Sequence, residues 1–228
     1  MKVIAFNGSP RKKWNTSTLL QHALDGAASM GAETELVNLY DYKFTGCKSC
    51  FACKLKDGKS YGRCALKDDL EQFLEKVNTA DALLIGSPIY IGNVTSLTRG
   101  LIERLLYPYA VYDHFHTMLF TRRIPVGFIY TMNVPDMLLA TEPYGLKFAE
   151  EAFVRTFGPT EVLHVTDTYQ FTDYSKYVCP LFNPEAKAKR REEQFPIDCQ
   201  NAFDMGVRMV KYYEDPEAYG NVHPLSLR

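Results

Sequence analysis

The sequence predicts a doubly wound α/β domain, a parallel sheet of five strands with helices on both faces. Two observations carry that prediction. Short runs such as residues 3–6 and 82–85 are apolar at every position, the pattern of a strand buried on both sides. Between such runs, apolar residues return at helical spacing, so strand and helix alternate along the chain, which calls for a parallel sheet covered on both faces.

The elements follow in order. The first strand, 3–6, passes through Asn7 into a loop and then a helix in which Leu19, Leu20, Ala23, Leu24 and Ala27 share a face; Gly31 ends it. Residues 34–39 form the second strand. A cysteine-bearing segment comes next, after which Asp68, with Glu71 three positions on, caps a helix whose apolar face is Leu70, Phe73, Leu74 and Val77. The third strand, 82–85, is broken by Gly86, Ser87 and Pro88, and Leu97, Leu101, Ile102 and Leu105 mark the helix beyond it. Residues 126–130 make the fourth strand, about 147–157 a helix, and 162–166 the fifth strand. A last helix, about 198–213, turns Ala202, Phe203, Val207 and Val210 inward. Two inserts, 107–123 and 172–196, fall outside this plan and read as excursions over a ligand site or an oligomer interface.

Composition narrows the function classes. With 228 residues, 46% hydrophobic and 23% charged, one domain spanning residues 1–228 has enough apolar chain for a full core. A formal net charge of -1 gives no basic excess for a phosphate backbone, so nucleic acid is not an expected partner. The one basic run, 187–191, reads as a solvated helix face. Neither a signal peptide nor a membrane span is read, and the expected location is cytoplasmic. In a reducing cytosol the six cysteines are not expected to pair, so the four clustered at Cys47, Cys50, Cys53 and Cys64 suggest metal or redox chemistry. No Ser-His-Asp order or paired-carboxylate motif supports hydrolysis, and His114 and His116 read as surface histidines.

Ligands of open α/β sheets bind at the carboxyl ends of strands, which directs attention to the loops after the first, third and fourth strands. The first loop lacks both the G-x-x-x-x-G-K-[ST] and the G-x-G-x-x-G patterns. It presents instead Ser9, Arg11, Asn15, Thr16, Ser17 and Thr18 around a helix start, where backbone N–H groups and the helix dipole favour an anion. Donors of this kind suit a terminal phosphate monoester; simple helix capping is the alternative. In the second loop, SPIYIGNVTSLTRG, Pro88 fixes the backbone, Tyr90 offers an aromatic face, and Gly92 and Asn93 an open turn, so a flat ring fits there.

These two motifs together resemble the flavodoxin-like NAD(P)H-dependent FMN reductase family, whose members carry a GSPR…N-[ST] phosphate loop followed by an SP-x-Y-x-G-N flavin loop. Both occur here in that order, about 80 residues apart, each directly after a strand. The resemblance implies a flavodoxin-like fold and FMN, its phosphate on Ser9, Arg11, Asn15, Thr16, Ser17 and Thr18. It implies a flavin ring beside Pro88, Ile89, Tyr90, Ile91, Gly92 and Asn93. The third loop departs from the family, with Thr131, Met132 and Asn133 where a Gly-rich turn is common; these stand as contacts to the ring edge or as a purely structural loop.

Cys47, Cys50 and Cys53 lie at i, i+3 and i+6, so their sulfurs can converge whether the segment is a helical turn or a loop, and C-x2-C-x2-C is a ferredoxin-type run. With Cys64 they make the four thiolates of a [4Fe-4S] cluster, and the segment resembles that of the iron–sulfur flavoproteins, a branch of the same family. The ten residues between Cys53 and Cys64 exceed the gap usual in that branch. Zinc and plain thiols remain the alternatives, Cys179 before Pro180 is a rival fourth ligand, and Cys199 reads as core. The expected activity is an FMN oxidoreductase that takes electrons from NAD(P)H and passes them to a small-molecule or redox-protein acceptor, in a homodimer or higher homo-oligomer. Its rivals are an iron–sulfur flavoprotein and a flavodoxin-like electron carrier.

Overall fold

The computed structural model describes residues 1–135 and 144–216. Five parallel strands form the sheet: β1 (Lys2–Asn7), β2 (Glu33–Asn38), β3 (Ala82–Tyr90), β5 (Val126–Thr131) and β6 (Thr160–Val165), in the order β2-β1-β3-β5-β6. This is the flavodoxin-like doubly wound arrangement, with its switch point between β1 and β3. A two-residue strand, β4 (Asn93–Val94), folds back antiparallel on the end of β3.

Period-two alternation along the strands divides the core into two layers. Ile4, Phe6, Leu83, Ile85 and Phe128 face α2 (Glu71–Val77), α3 (Ser96–Leu106) and α4 (Tyr144–Thr156). Val3, Ala5, Leu84 and Ile129 face α1 (Asn15–Ser29) and α6 (Phe195–Lys211). α6 begins three residues earlier than its apolar pattern indicates, because Pro196 suits a first helical turn, and its most buried side chains are Ala202, Met205 and Met209 rather than Phe203 and Val207. The fifth strand likewise starts at Thr160, two residues before the expected 162, pairing Thr160 with Val126. Asp68 does not cap α2, whose N-cap is Leu70; its carboxylate accepts from the Leu70 N–H and from Arg104.

α1 and α6 touch backbone to backbone. A Cβ on Gly206 would stand 1.8 Å from the Ala23 carbonyl oxygen, and one on Gly26 2.0 Å from that of Phe203. Gly206→Ala therefore forces the helices apart, and a loss of about 1–3 kcal/mol in urea unfolding is expected; an unchanged midpoint would show that the pair yields freely.

The inserts acquire structure of their own. Residues 107–123 bend back through a bridge between Ala110 and Met118, and 172–196 contains α5 (Pro184–Glu193). The reading of 187–191 as a solvated face does not hold: Lys187 is 4% exposed, because α5 packs one side onto the body of the domain. His114 and His116 are exposed, and Cys199 is buried. No helix among the described residues is long and apolar enough to cross a membrane.

Candidate functional site

β1 and β3 run side by side and their loops separate at the carboxyl edge, opening a cleft at the switch point. The two loops are tied from below. Gly8 N–H donates to the Gly86 carbonyl at 2.8 Å, Thr95 Oγ donates to the Gly8 carbonyl at 2.8 Å, and Thr95 N–H donates to Ser87 Oγ at 3.0 Å. Within the first loop, the Ser9 N–H donates to Asn7 Oδ1 and the Arg11 N–H to Ser9 Oγ.

α1 opens toward the cleft. Its first intrahelical bond runs from the Thr18 N–H to the Trp14 carbonyl, so the amides of Asn15, Thr16 and Ser17 lie ahead of the ladder. The N-cap, Trp14, supplies no side-chain acceptor, and the first turn carries no acid. A helix mouth in this state, beside the buried hydroxyls of Ser9 and Thr16 and the cation of Arg11, matches the chemistry of a phosphate monoester.

Of the residues named from sequence, Ser9, Arg11, Asn15, Thr16, Pro88, Ile89, Tyr90, Thr131, Met132 and Asn133 line this one cleft. Thr16 and Thr131 share a hydroxyl–hydroxyl bond of 2.8 Å across it, joining the first and third loops. Others do not line it. Ser17 Oγ donates to the Lys12 carbonyl, and Thr18 sits half-buried a turn into the helix. Ile91 and Gly92 make the positive-φ turn between β3 and β4, which carries the Ile91 side chain fully into solvent, and Asn93 Oδ1 caps the Val94 N–H. Tyr90 is half exposed, and its partial burial pushes the phenol up.

Side chains of the first loop are also committed elsewhere. Arg11 stacks 4.0 Å over the Trp14 ring and donates to the Gln170 carbonyl at 2.7 Å. Trp14 Nε1 and Asn15 Nδ2 both donate to the Tyr169 carbonyl, at 3.1 and 2.9 Å. Residues 168–170, after β6, thus form a wall of the cleft that the sequence reading missed. The rule that led to the other loops, inspection of strand carboxyl ends, leads to this one as well.

Cys47, Cys50, Cys53 and Cys64 line a second, small hollow between their own loop and the C-terminal half of α3. Cys47 and Cys50 are exposed and Cys53 is buried, which pushes its thiol up. Three contacts pin the segment. The Cys47 N–H donates to Glu103, Arg104 Nε donates to Cys64 Sγ at 3.3 Å, and the Lys54 ammonium donates to the carbonyl of Tyr107, the C-cap of α3, and to those of Pro108 and Ala110 just beyond it. Arg104 lies nine residues along α3 from Thr95, about 14 Å at 1.5 Å per residue. Among the described residues no three His, Cys, Asp or Glu side chains stand together as a metal-ligand group. The four thiols facing one hollow nevertheless supply the donor type that iron–sulfur or zinc chemistry requires. Cys179 lies in the 172–196 insert, its Sγ directed at the Tyr174 and Tyr177 carbonyls.

Comparison with known proteins adds three findings. The model of the NADPH-dependent FMN reductase family matches residues 1–131. An iron-sulfur flavoprotein of Archaeoglobus fulgidus is 45% identical over 104 residues, 46% of this chain and 48% of its own length, and one of Methanocaldococcus jannaschii is 38% identical over 104 residues, 46% and 51%. The matched region thus spans about half the length of these curated relatives. Among solved structures, an NAD(P)H:quinone oxidoreductase from Methanothermobacter marburgensis superposes with a TM-score of 0.63 over 91% of this chain and 96% of its own, at 15% identity. A flavone reductase gives 0.60 over 96% and 65%, at 16% identity, and both show the fold.

Proposed function

This chain belongs to the NADPH-dependent FMN reductase family, and from that premise we propose that it is an FMN-binding oxidoreductase taking electrons from NAD(P)H and passing them to a second acceptor, small molecule or redox protein. The observation that carries the reading is the mouth of α1, uncapped by any side chain and opening beside buried Ser9 and Thr16. When bound, FMN supplies the hydride and electron chemistry. The chain's residues bind and orient: the α1 amides with Ser9 and Thr16 take the phosphate, while Pro88, Ile89, Tyr90 and Met132 supply apolar and aromatic surface for the ring. Heat-released cofactor is expected to be FMN, since no G-x-G-x-x-G exists for a pyrophosphate. FAD in the supernatant, or failure of both NADH and NADPH to bleach the bound flavin, would overturn the assignment.

A second reading is favoured by the four cysteines on one hollow: that Cys47, Cys50, Cys53 and Cys64 hold a [4Fe-4S] cluster, a reading the relatives' name, iron-sulfur flavoprotein, supports. Anaerobically purified protein should then contain iron and acid-labile sulfide, both absent from Cys50→Ser while FMN is retained. Iron-free protein that resists reconstitution would leave the flavin alone as the redox centre.

A further inference from the structure

α5 belongs to the 172–196 insert, beyond residues 1–131 that the family model matches, yet it reaches two of the cofactor loops at once. Lys187 and Arg191 are four residues apart and so share a face of the helix. From that face the Lys187 ammonium donates to Asn133 Oδ1, in the loop after β5, and pairs with Asp167 after β6. Arg191 donates to Asn15 Oδ1, at the mouth of α1, at 2.7 Å. The two asparagines are held alike. Each has its carbonyl oxygen on a cation of α5 and its amide nitrogen on the 169–170 segment, Asn15 on the Tyr169 carbonyl and Asn133 on Gln170 Oε1, both at 2.9 Å.

We infer that Lys187 and Arg191 are positioning residues of the cofactor site, buckling the first and third loops through Asn15 and Asn133. A side-chain amide with both ends engaged cannot flip, so each asparagine fixes its loop in one orientation. Lys187 and Asn15 are 4% and 5% exposed while Asn133 and Arg191 are partly buried, so a cation withdrawn from either junction leaves a largely shielded amide oxygen without its partner. Arg191 is further steadied by Phe195, whose ring lies 3.8 Å beneath its guanidinium. Glu185, Lys189, Glu192 and Glu193 face solvent, while Arg190 turns onto α6 and pairs with Asp198 at 2.9 Å, so the helix presents a packed and a solvated side. Arg191 acts at the phosphate end of the cleft and Lys187 at the end formed by the third loop.

The inference rests on the FMN reading, and the experiment separates the two. In the full chain, dissociation constants for FMN and for riboflavin are measured by flavin fluorescence quenching. Lys187→Met should weaken both ligands about tenfold. Arg191→Met should weaken FMN about tenfold and riboflavin by less than threefold, a change of preference that a general loosening of the fold does not produce. Arg191→Lys should recover most of the loss, and Arg191→Met should add nothing in an Asn15→Ala background. Should Lys187→Met fail to fold, Asn133→Ala with and without Lys187→Arg reports on the same junction. Wild-type protein that binds FMN alongside variants that bind it within twofold, or an Arg191→Met loss equal for the two ligands, overturns the buckle and leaves the family assignment standing. Wild-type protein that binds neither flavin overturns the FMN reading itself, and the buckle with it.

Discussion

Ser9→Asp is expected to weaken FMN binding by about a hundredfold or more while the apo-protein stays folded. Ser9 is 4% exposed, lines the cleft before α1, and accepts from the Arg11 N–H through its hydroxyl oxygen. An aspartate keeps that acceptor and lies close to the positive end of the helix, so the local fold is preserved. The phosphate now meets a like charge a few ångströms away, which at the effective dielectric of such sites opposes binding by about 3–4 kcal/mol. Isothermal titration with FMN, with far-ultraviolet dichroism as the control for folding, gives the answer. Riboflavin binding should change little, since it carries no phosphate. If FMN affinity moves less than fivefold, the mouth of α1 is not the phosphate site.

Arg104→Ala is expected to cost about 3 kcal/mol, which for a chain of this size lowers the melting temperature by roughly 6–12 °C. The guanidinium is 1% exposed and serves four acceptors: Cys64 Sγ, Asp68, and the carbonyls of Thr45 and Leu66. Burial opposes its charge, yet the bonds to Asp68 and Cys64 outweigh that and hold it above its ordinary range. Removal leaves Asp68 with the Leu70 N–H alone and takes away the Arg104 bonds to Thr45, Cys64 and Leu66 at the two ends of the cysteine loop. Arg104→Lys should fall between wild type and alanine, because an ammonium cannot span acceptors arranged around a planar fork. A melting point within about 2 °C of wild type in the alanine variant would show that the loop is held by Lys54 and Glu103 alone.

Much was legible in the chain itself. Runs that are apolar at every position specify strands buried on two faces, and the helical return of Leu19, Leu20, Ala23 and Leu24 specifies the helix between them; both are local patterns, set by residues within a turn or two of each other. The residue types at strand ends were legible for the same reason, and Ser9, Thr16, Pro88 and Tyr90 do meet in one cleft. The parallel direction of the strands follows from the alternation of strand and helix, whereas their order, β2-β1-β3-β5-β6, came from the structure.

What only the tertiary structure decided is the traffic between distant segments. A positive-φ turn sends the Ile91 side chain into solvent, and Arg11 and Asn15, which line the cleft, also donate to the carbonyls of residues 170 and 169, contacts that no local pattern reveals. The charged run at 187–191 reads as solvated because charge on a helix normally is; here Asn15, Asn133 and Asp167 meet its inner face and make burial affordable. Periodicity reports which side of an element is buried against something apolar. It carries no information on which polar partner, 20, 54 or 176 residues away, will meet a cation on the packed face, because that choice is made only when the layers pack.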